Sequence, residues 1–191
     1  MKLLKDKILT EGRVFPGQIL KVDGFLNHQI DVTLMDRIGE EFYAAYRDRG
    51  ITRILTIESS GIAIACSVAR SFGVPVLFAK KSRSLNLGND LYTATVTSYT
   101  YKKDYQVTIS RDYLSAEDHV LIVDDFLATG NAMQGLIQLC RDAGATVEGV
   151  GICIEKGFQD GGKILRDQGI SVTSLAIIDE MTDDGKIIFR N

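Results

Sequence analysis

Apolar positions change their period along this chain. Up to Gly50 they recur at helical spacing. Leu3, Leu4 and Ile8 predict one face of a short helix, and Val32, Met35, Ile38, Phe42, Ala45 and Tyr46 predict a longer one closed by Gly50. Val14 to Ile30, with Pro16, Gly17 and Gly24, reads as irregular. From Arg53 onward short continuous apolar runs take over. Arg53–Ile57, Val74–Ala79, Val120–Val123, Val147–Ile154 and Val172–Ile178 read as buried strands. Helical stretches separate them at Ile62–Phe72 and within Ala128–Ala143. Leu91–Tyr101 and Tyr105–Ser110 alternate and are rich in Thr and Tyr, with Lys102-Lys-Asp104 as the turn of a hairpin. Strands alternating with helices predict an α/β fold: a mainly parallel central sheet flanked by helices, with an antiparallel hairpin excursion.

Composition narrows the class. The 191 residues, 45% hydrophobic and 25% charged, are ordinary for a soluble protein, and 1–191 is expected to form one domain. Neither of the two prolines lies in a linker. The net charge of −3 argues against nucleic acid or an anionic membrane as main partner. No run of residues has the length and apolarity of a membrane span, and the N-terminal residues mix charge with apolar side chains, unlike a secretory signal. Cys66, Cys140 and Cys153 have no metal or redox spacing and are expected to be buried thiols of a reducing, cytoplasmic compartment. His28 and His119 have no ligand partners at metal spacing and are expected to be structural.

Ligands of open α/β sheets bind beyond the carboxyl ends of the strands. Three strands here end in polar residues: Glu58-Ser59-Ser60-Gly61, Asp124-Asp125 and Glu155-Lys156-Gly157. The middle one runs on through Ala128-Thr129-Gly130-Asn131-Ala132 into a helix. Unpaired N–H groups and a partial positive charge at that helix start suit a phosphate. Two adjacent carboxylates suit a diol, because carboxylates accept and hydroxyls donate. A ribose 5-phosphate satisfies both. The segment is not a Walker loop, since no Gly-Lys-Ser/Thr follows.

Val120 to Ala132 resembles the 5-phosphoribosyl 1-pyrophosphate (PRPP) signature of the type I phosphoribosyltransferases. Many members have Gly-Thr where this chain has Asn131-Ala132, which shifts phosphate binding toward backbone N–H groups. The resemblance covers nearly the whole chain and is strongest to the xanthine-using purine branch, itself related to the adenine enzymes. It is carried by Leu20–Asp31, Thr56–Ile62, Asp118–Ala128 and Ile154–Phe158.

The resemblance implies a type I fold whose hood is contributed by about 1–35. It implies that xanthine and PRPP give xanthosine 5′-monophosphate (XMP) and pyrophosphate, as purine salvage. Asp124 and Asp125 are then catalytic; Ser59, Ser60, Gly61, Lys81 and Ala128–Ala132 hold PRPP; Leu20, Asn27 and Lys156 contact the purine. Lys80-Lys81-Ser82-Arg83 falls where the family has a mobile loop over the site. Magnesium, held mainly by PRPP and not by the protein, and a homodimer are also implied. The Lys156 ammonium, a donor only, fits the carbonyl of a 6-oxopurine and opposes the amino group of adenine. Guanine, hypoxanthine or adenine remain alternative bases, and a PRPP-sensing regulator a more distant one. No residue identifies itself as the general base; Asp125 and Glu155 are the carboxylates to consider.

Overall fold

The computed structural model describes residues 1–81, 90–98, 103–182 and 184–190. The N-terminal part comprises α1 (Lys2–Glu11), β1 (Arg13–Phe15), β2 (Ile19–Lys21), a π-helical turn at Asp23–Asn27 and α2 (Val32–Tyr46). Then come β3 (Arg53–Ile57), α3 (Gly61–Phe72), β4 (Val76–Ala79), β5 (Leu91–Ser98) and β6 (Lys103–Ser110). The chain continues through β7 (His119–Leu127), α4 (Asn131–Ala143), β8 (Thr146–Lys156), α5 (Gly161–Asp167), β9 (Val172–Met181) and β10 (Ile187–Phe189).

Six strands form the central sheet in the order β10-β9-β8-β7-β3-β4. All neighbours are parallel except β10, which returns antiparallel to β9. Two further antiparallel pairs stand outside it, β1-β2 and β5-β6. The α/β architecture, the N-terminal cap and the hairpin excursion are therefore those expected from the sequence. Helices cover both sheet faces. Ile38, Phe42 and Tyr46 of α2, with Ile64 and Val68 of α3, pack with Leu121 and Val123 of β7. Met133, Leu136, Ile137 and Cys140 of α4 pack against Ile122, Val150 and Ile152, joined by Val96 and Val107 from the hairpin.

Several boundaries differ from the sequence expectation. The irregular stretch Val14–Ile30 holds the β1-β2 pair and the π-helical turn; its strands are too short for a period to emerge. Strand β7 continues through Asp124-Asp125 to Leu127, because Asp124, Phe126 and Leu127 keep pairing with β8. Lys103 and Asp104, expected in a turn, lie in β6, whereas Lys102, Ser82 and Arg83 fall outside the described residues. Leu4 and Ile8 are buried but Leu3 is exposed, and α2 buries Leu34 while leaving Val32 and Ala45 outside. Cys140 and Cys153 are buried as expected; Cys66 is exposed on α3. Burial pushes the Cys140 thiol up to about 12, so it is inert at neutral pH.

Gly149 shows how closely α2 approaches the sheet. A Cβ there would stand 2.3 Å from Cε1 of Tyr46. The Tyr46 hydroxyl donates to the carbonyls of Val150 (3.0 Å) and Ser171 (3.2 Å), so the ring cannot swing away without losing both bonds. Gly149→Ala is expected to destabilise the fold by about 1–3 kcal/mol through overpacking. Urea denaturation reads it directly, and an unchanged midpoint would contradict the packing described.

Candidate active site

The parallel order places the carboxyl ends of β3, β7 and β8 side by side. Asp124 and Asp125, near the end of β7, are only 5% and 8% exposed. Asp124 Oδ1 accepts from the backbone N–H of Asp125 (2.9 Å), and Asp125 Oδ1 accepts from that of Phe126 (2.9 Å). The two carboxylates face different neighbours. Asp124 stands at the start of α3, where a Cβ on Gly61 would lie 3.1 Å from its Oδ1 and clash with the Thr56 hydroxyl. Gly61 therefore lets the Glu58–Gly61 loop close down on the carboxylate. Asp125 Oδ2 accepts from the Asn27 side-chain amide at 2.8 Å. That bond ties the hood to β7 across the site.

Electrostatics follow from burial. Desolvation, reinforced by the neighbouring charge of Asp125, pushes the Asp124 carboxyl well above the usual carboxylate range. Lys81 works in the opposite direction. The Lys81 backbone N–H donates to Glu58 Oε1 (2.6 Å), and its ammonium lies 5.9 Å from the centre of the Tyr105 ring. Lys80 is stitched to Thr108 of β6 by two backbone bonds, so hairpin and loop are held together.

After β7 the chain turns through Ala128 and Thr129 to Gly130, whose φ of +86° favours glycine. Helix α4 starts at Asn131, and its first residues, Asn131 to Met133, line a cavity of about 160 Å³. The segment Ala128–Ala132 lines it on one side; Val96, Thr97 and Tyr105 of the hairpin line the other. Asn131, the departure from the family pattern, donates through its side chain to the Thr97 carbonyl at 3.0 Å and ties α4 to the hairpin.

The third strand end divides its work. Lys156 donates to the Gln18 carbonyl in the β1-β2 turn at 2.9 Å, and burial pulls its ammonium below the usual lysine range. Glu155 is held by Arg166 through two bonds of 2.8 and 2.7 Å, and Ser174 donates to it as well. Burial alone would raise the Glu155 carboxyl, but these partners win and hold it low. Paired at both oxygens, Glu155 is no proton acceptor. Leu20 is 7% exposed and belongs to the apolar cluster that joins the hood to α2, α3 and the central sheet. Ser59 is exposed, and Ser60 makes no side-chain cap to α3, so the hydroxyls of this loop are free of a capping role.

The hood residue Asn27, the two carboxylates, the Glu58–Gly61 loop, Lys81 and Ala128–Ala132 thus gather at one end of the sheet. Lys156 sits beside them under the hood turn. Sequence reasoning missed the hairpin wall of Val96, Thr97 and Tyr105, which no local motif marks, and the contribution of Gly161 behind the loop.

Ligands of open α/β sheets bind at a strand end of this kind, and the phosphoribosyl transferase domain model matches residues 26–161. The chain belongs to that family. Among its relatives, the xanthine phosphoribosyltransferase of Bifidobacterium adolescentis is 55% identical, with both chains covered completely. That of Clostridium novyi is 53% identical, again over the whole of both chains. Of solved structures, the adenine phosphoribosyltransferase from Thermoanaerobacter pseudethanolicus superposes with a TM-score of 0.74 at 21% identity, covering 91% of this chain and 98% of that one. The Giardia lamblia enzyme complexed with 9-deazaadenine gives 0.75 at 22%, covering 91% and 96%. At such identities the two structures show the shared fold.

The raised Asp124 carboxyl has a consequence for stability. The native state keeps a proton that the unfolded chain releases near pH 4, so stability declines as pH rises from there through the native pKa. Asp124→Asn is expected to make the ligand-free protein more stable than wild type at neutral pH, with the difference shrinking toward pH 4. Thermal unfolding across pH tests this, and parallel curves for the two proteins would contradict it.

Proposed function

We propose that this chain is a purine-salvage enzyme that joins xanthine to PRPP, giving XMP and pyrophosphate. The observation that carries the reading is the Asn27–Asp125 bond, which unites a hood suited to a base with carboxylates suited to a ribose. The relatives named xanthine phosphoribosyltransferase support the choice of base. The proposal takes 1–191 as one domain, since both helical layers clothe the same sheet.

In this reading Ala128–Ala132 hold the 5′-phosphate through backbone N–H groups and the Thr129 hydroxyl. Asp124 and Asp125 accept from the ribose hydroxyls and lie near the positive charge that develops as the bond from C1 to pyrophosphate breaks. The new bond joins C1 to a purine ring nitrogen, whose proton leaves to solvent. Ser59, Ser60, Gly61 and Lys81 face the departing pyrophosphate. Asn27 and Lys156 address the base from above and from the strand end, with Leu20 shaping the hood behind them. Mg2+, held mainly by the oxygens of PRPP itself, would supply charge stabilisation to the leaving group.

Two cellular attributes complete the proposal. Cytoplasmic residence fits the free cysteines, and no helix among the described residues is long and apolar enough to cross a membrane. A homodimer fits the apolar groove between α2 and α3, lined by Ile30, Val32, Met35 and Cys66. Sedimentation equilibrium is expected to give twice the chain mass, and a monomer at assay concentration would remove that part.

Assaying xanthine, guanine, hypoxanthine and adenine with PRPP tests the function: xanthine should be used best, and a preference for adenine would overturn the reading. In the same assay Lys156→Ala should lower kcat/KM for xanthine by roughly 10- to 150-fold, the value of a charged hydrogen bond, with PRPP binding retained. Undiminished xanthine turnover would exclude Lys156 from base recognition.

A further inference from the structure

The segment Asp160-Gly161-Gly162 meets the Ala128–Ala132 loop from behind. The Gly161 N–H donates to the Ala128 carbonyl at 3.0 Å. A Cβ on Gly161 would stand 2.3 Å from that carbonyl oxygen, 2.6 Å from the Gly130 nitrogen and 2.8 Å from the Thr129 carbonyl carbon. The contact is reciprocal, since a Cβ on Gly130 would lie 3.1 Å from the Gly161 Cα. Every atom involved is backbone, so no side chain can rotate to make room. The next glycine faces the other way: a Cβ on Gly162 would stand 2.0 Å from Glu155 Oε1 and 2.5 Å from Arg166 Nη1. The glycine pair is therefore clamped between the loop and the ion pair that buried Glu155, near the end of β8, makes with the exposed Arg166.

We propose that Gly161 is a positioning residue for PRPP. It touches no substrate. It sets the backbone of Ala128–Ala132 so that the loop N–H groups converge on the 5′-phosphate, and the Glu155–Arg166 pair anchors it. The same anchor fixes the loop relative to Lys156, the residue next to Glu155, and so sets the span between the phosphate and base subsites. The dependence of a binding loop on a contact outside its own sequence motif is physically expected. A displacement approaching 1 Å disturbs convergent hydrogen bonds without removing any of them. This inference rests on the reading of Ala128–Ala132 as the phosphate-holding loop.

The experiment compares Gly161→Ala and Thr129→Asp with wild type. Gly161→Ala is expected to raise the KM for PRPP, and the Kd for ribose 5-phosphate by calorimetry, by roughly ten-fold or more. The KM for xanthine should stay within about two-fold, a split that a general loss of stability would not produce. Thr129→Asp puts a carboxylate into the loop and should abolish ribose 5-phosphate binding. Undisturbed binding in Thr129→Asp would overturn the loop reading and the proposal with it. Loss of binding in Thr129→Asp with undisturbed binding in Gly161→Ala would overturn the positioning role alone. Should Gly161→Ala fail to fold, amide exchange of the wild-type protein decides. The Gly161 N–H should gain protection with ribose 5-phosphate in step with Thr129–Ala132, and an unaltered rate there would overturn the proposal.

Discussion

Two adjacent carboxylates near the end of a buried parallel strand are the constraint around which this molecule is arranged. Asp124 and Asp125 stand almost without solvent, and their charges repel. Backbone N–H groups of the residues that follow them satisfy one oxygen of each. Their other neighbours lie in different parts of the protein: Asp125 Oδ2 accepts from Asn27 of the hood, while Asp124 stands against the start of α3 and feels the charge of Lys81. The strand interior supplies rigidity, and in the proposed function ribose hydroxyls supply the donors that the protein does not.

The surrounding elements follow from that arrangement. Asn27 occupies Asp125 from above, where a ribose hydroxyl would also donate, so the hood and the sugar share one carboxylate. Lys156 is similarly engaged with a backbone carbonyl of the hood turn. Both polar residues proposed to face the base therefore donate to internal acceptors, Asn27 to a carboxylate and Lys156 to a backbone carbonyl. Glu155 shows the contrary outcome. It lies beside Lys156 in sequence, but alternation along the strand sends it into a bidentate pair with Arg166. It holds structure and leaves chemistry to its neighbours.

How much of this the chain disclosed depended on whether a signal was local. The strand β7, its Asp pair and the small residues before α4 form one contiguous pattern, so fold class and ribose-phosphate motif were legible together. The β1-β2 pair was not, because three-residue strands show no period. Lys103 and Asp104 looked like a turn because charge usually marks exposure, whereas an outlying hairpin tolerates charged residues in its strands. The exposure of Cys66 and Val32 was hidden for a related reason: helical spacing reports a stripe but not its width.

The sequence by itself determined the alternation of strands and helices, and with it the end of the sheet at which ligands gather. It also determined the residue types offered there: paired carboxylates, a glycine at the helix start, serines and lysines at neighbouring strand ends. These are properties of contiguous segments, governed by period and backbone preference. Tertiary structure alone decided the pairings across long separations. Asn27 on Asp125, Lys156 on Gln18, Thr97 and Tyr105 opposite the loop, and Gly161 behind it arise where distant segments are brought together. Such contacts leave no periodic trace, because each is fixed by the packing of whole elements and not by the residues beside it in the chain.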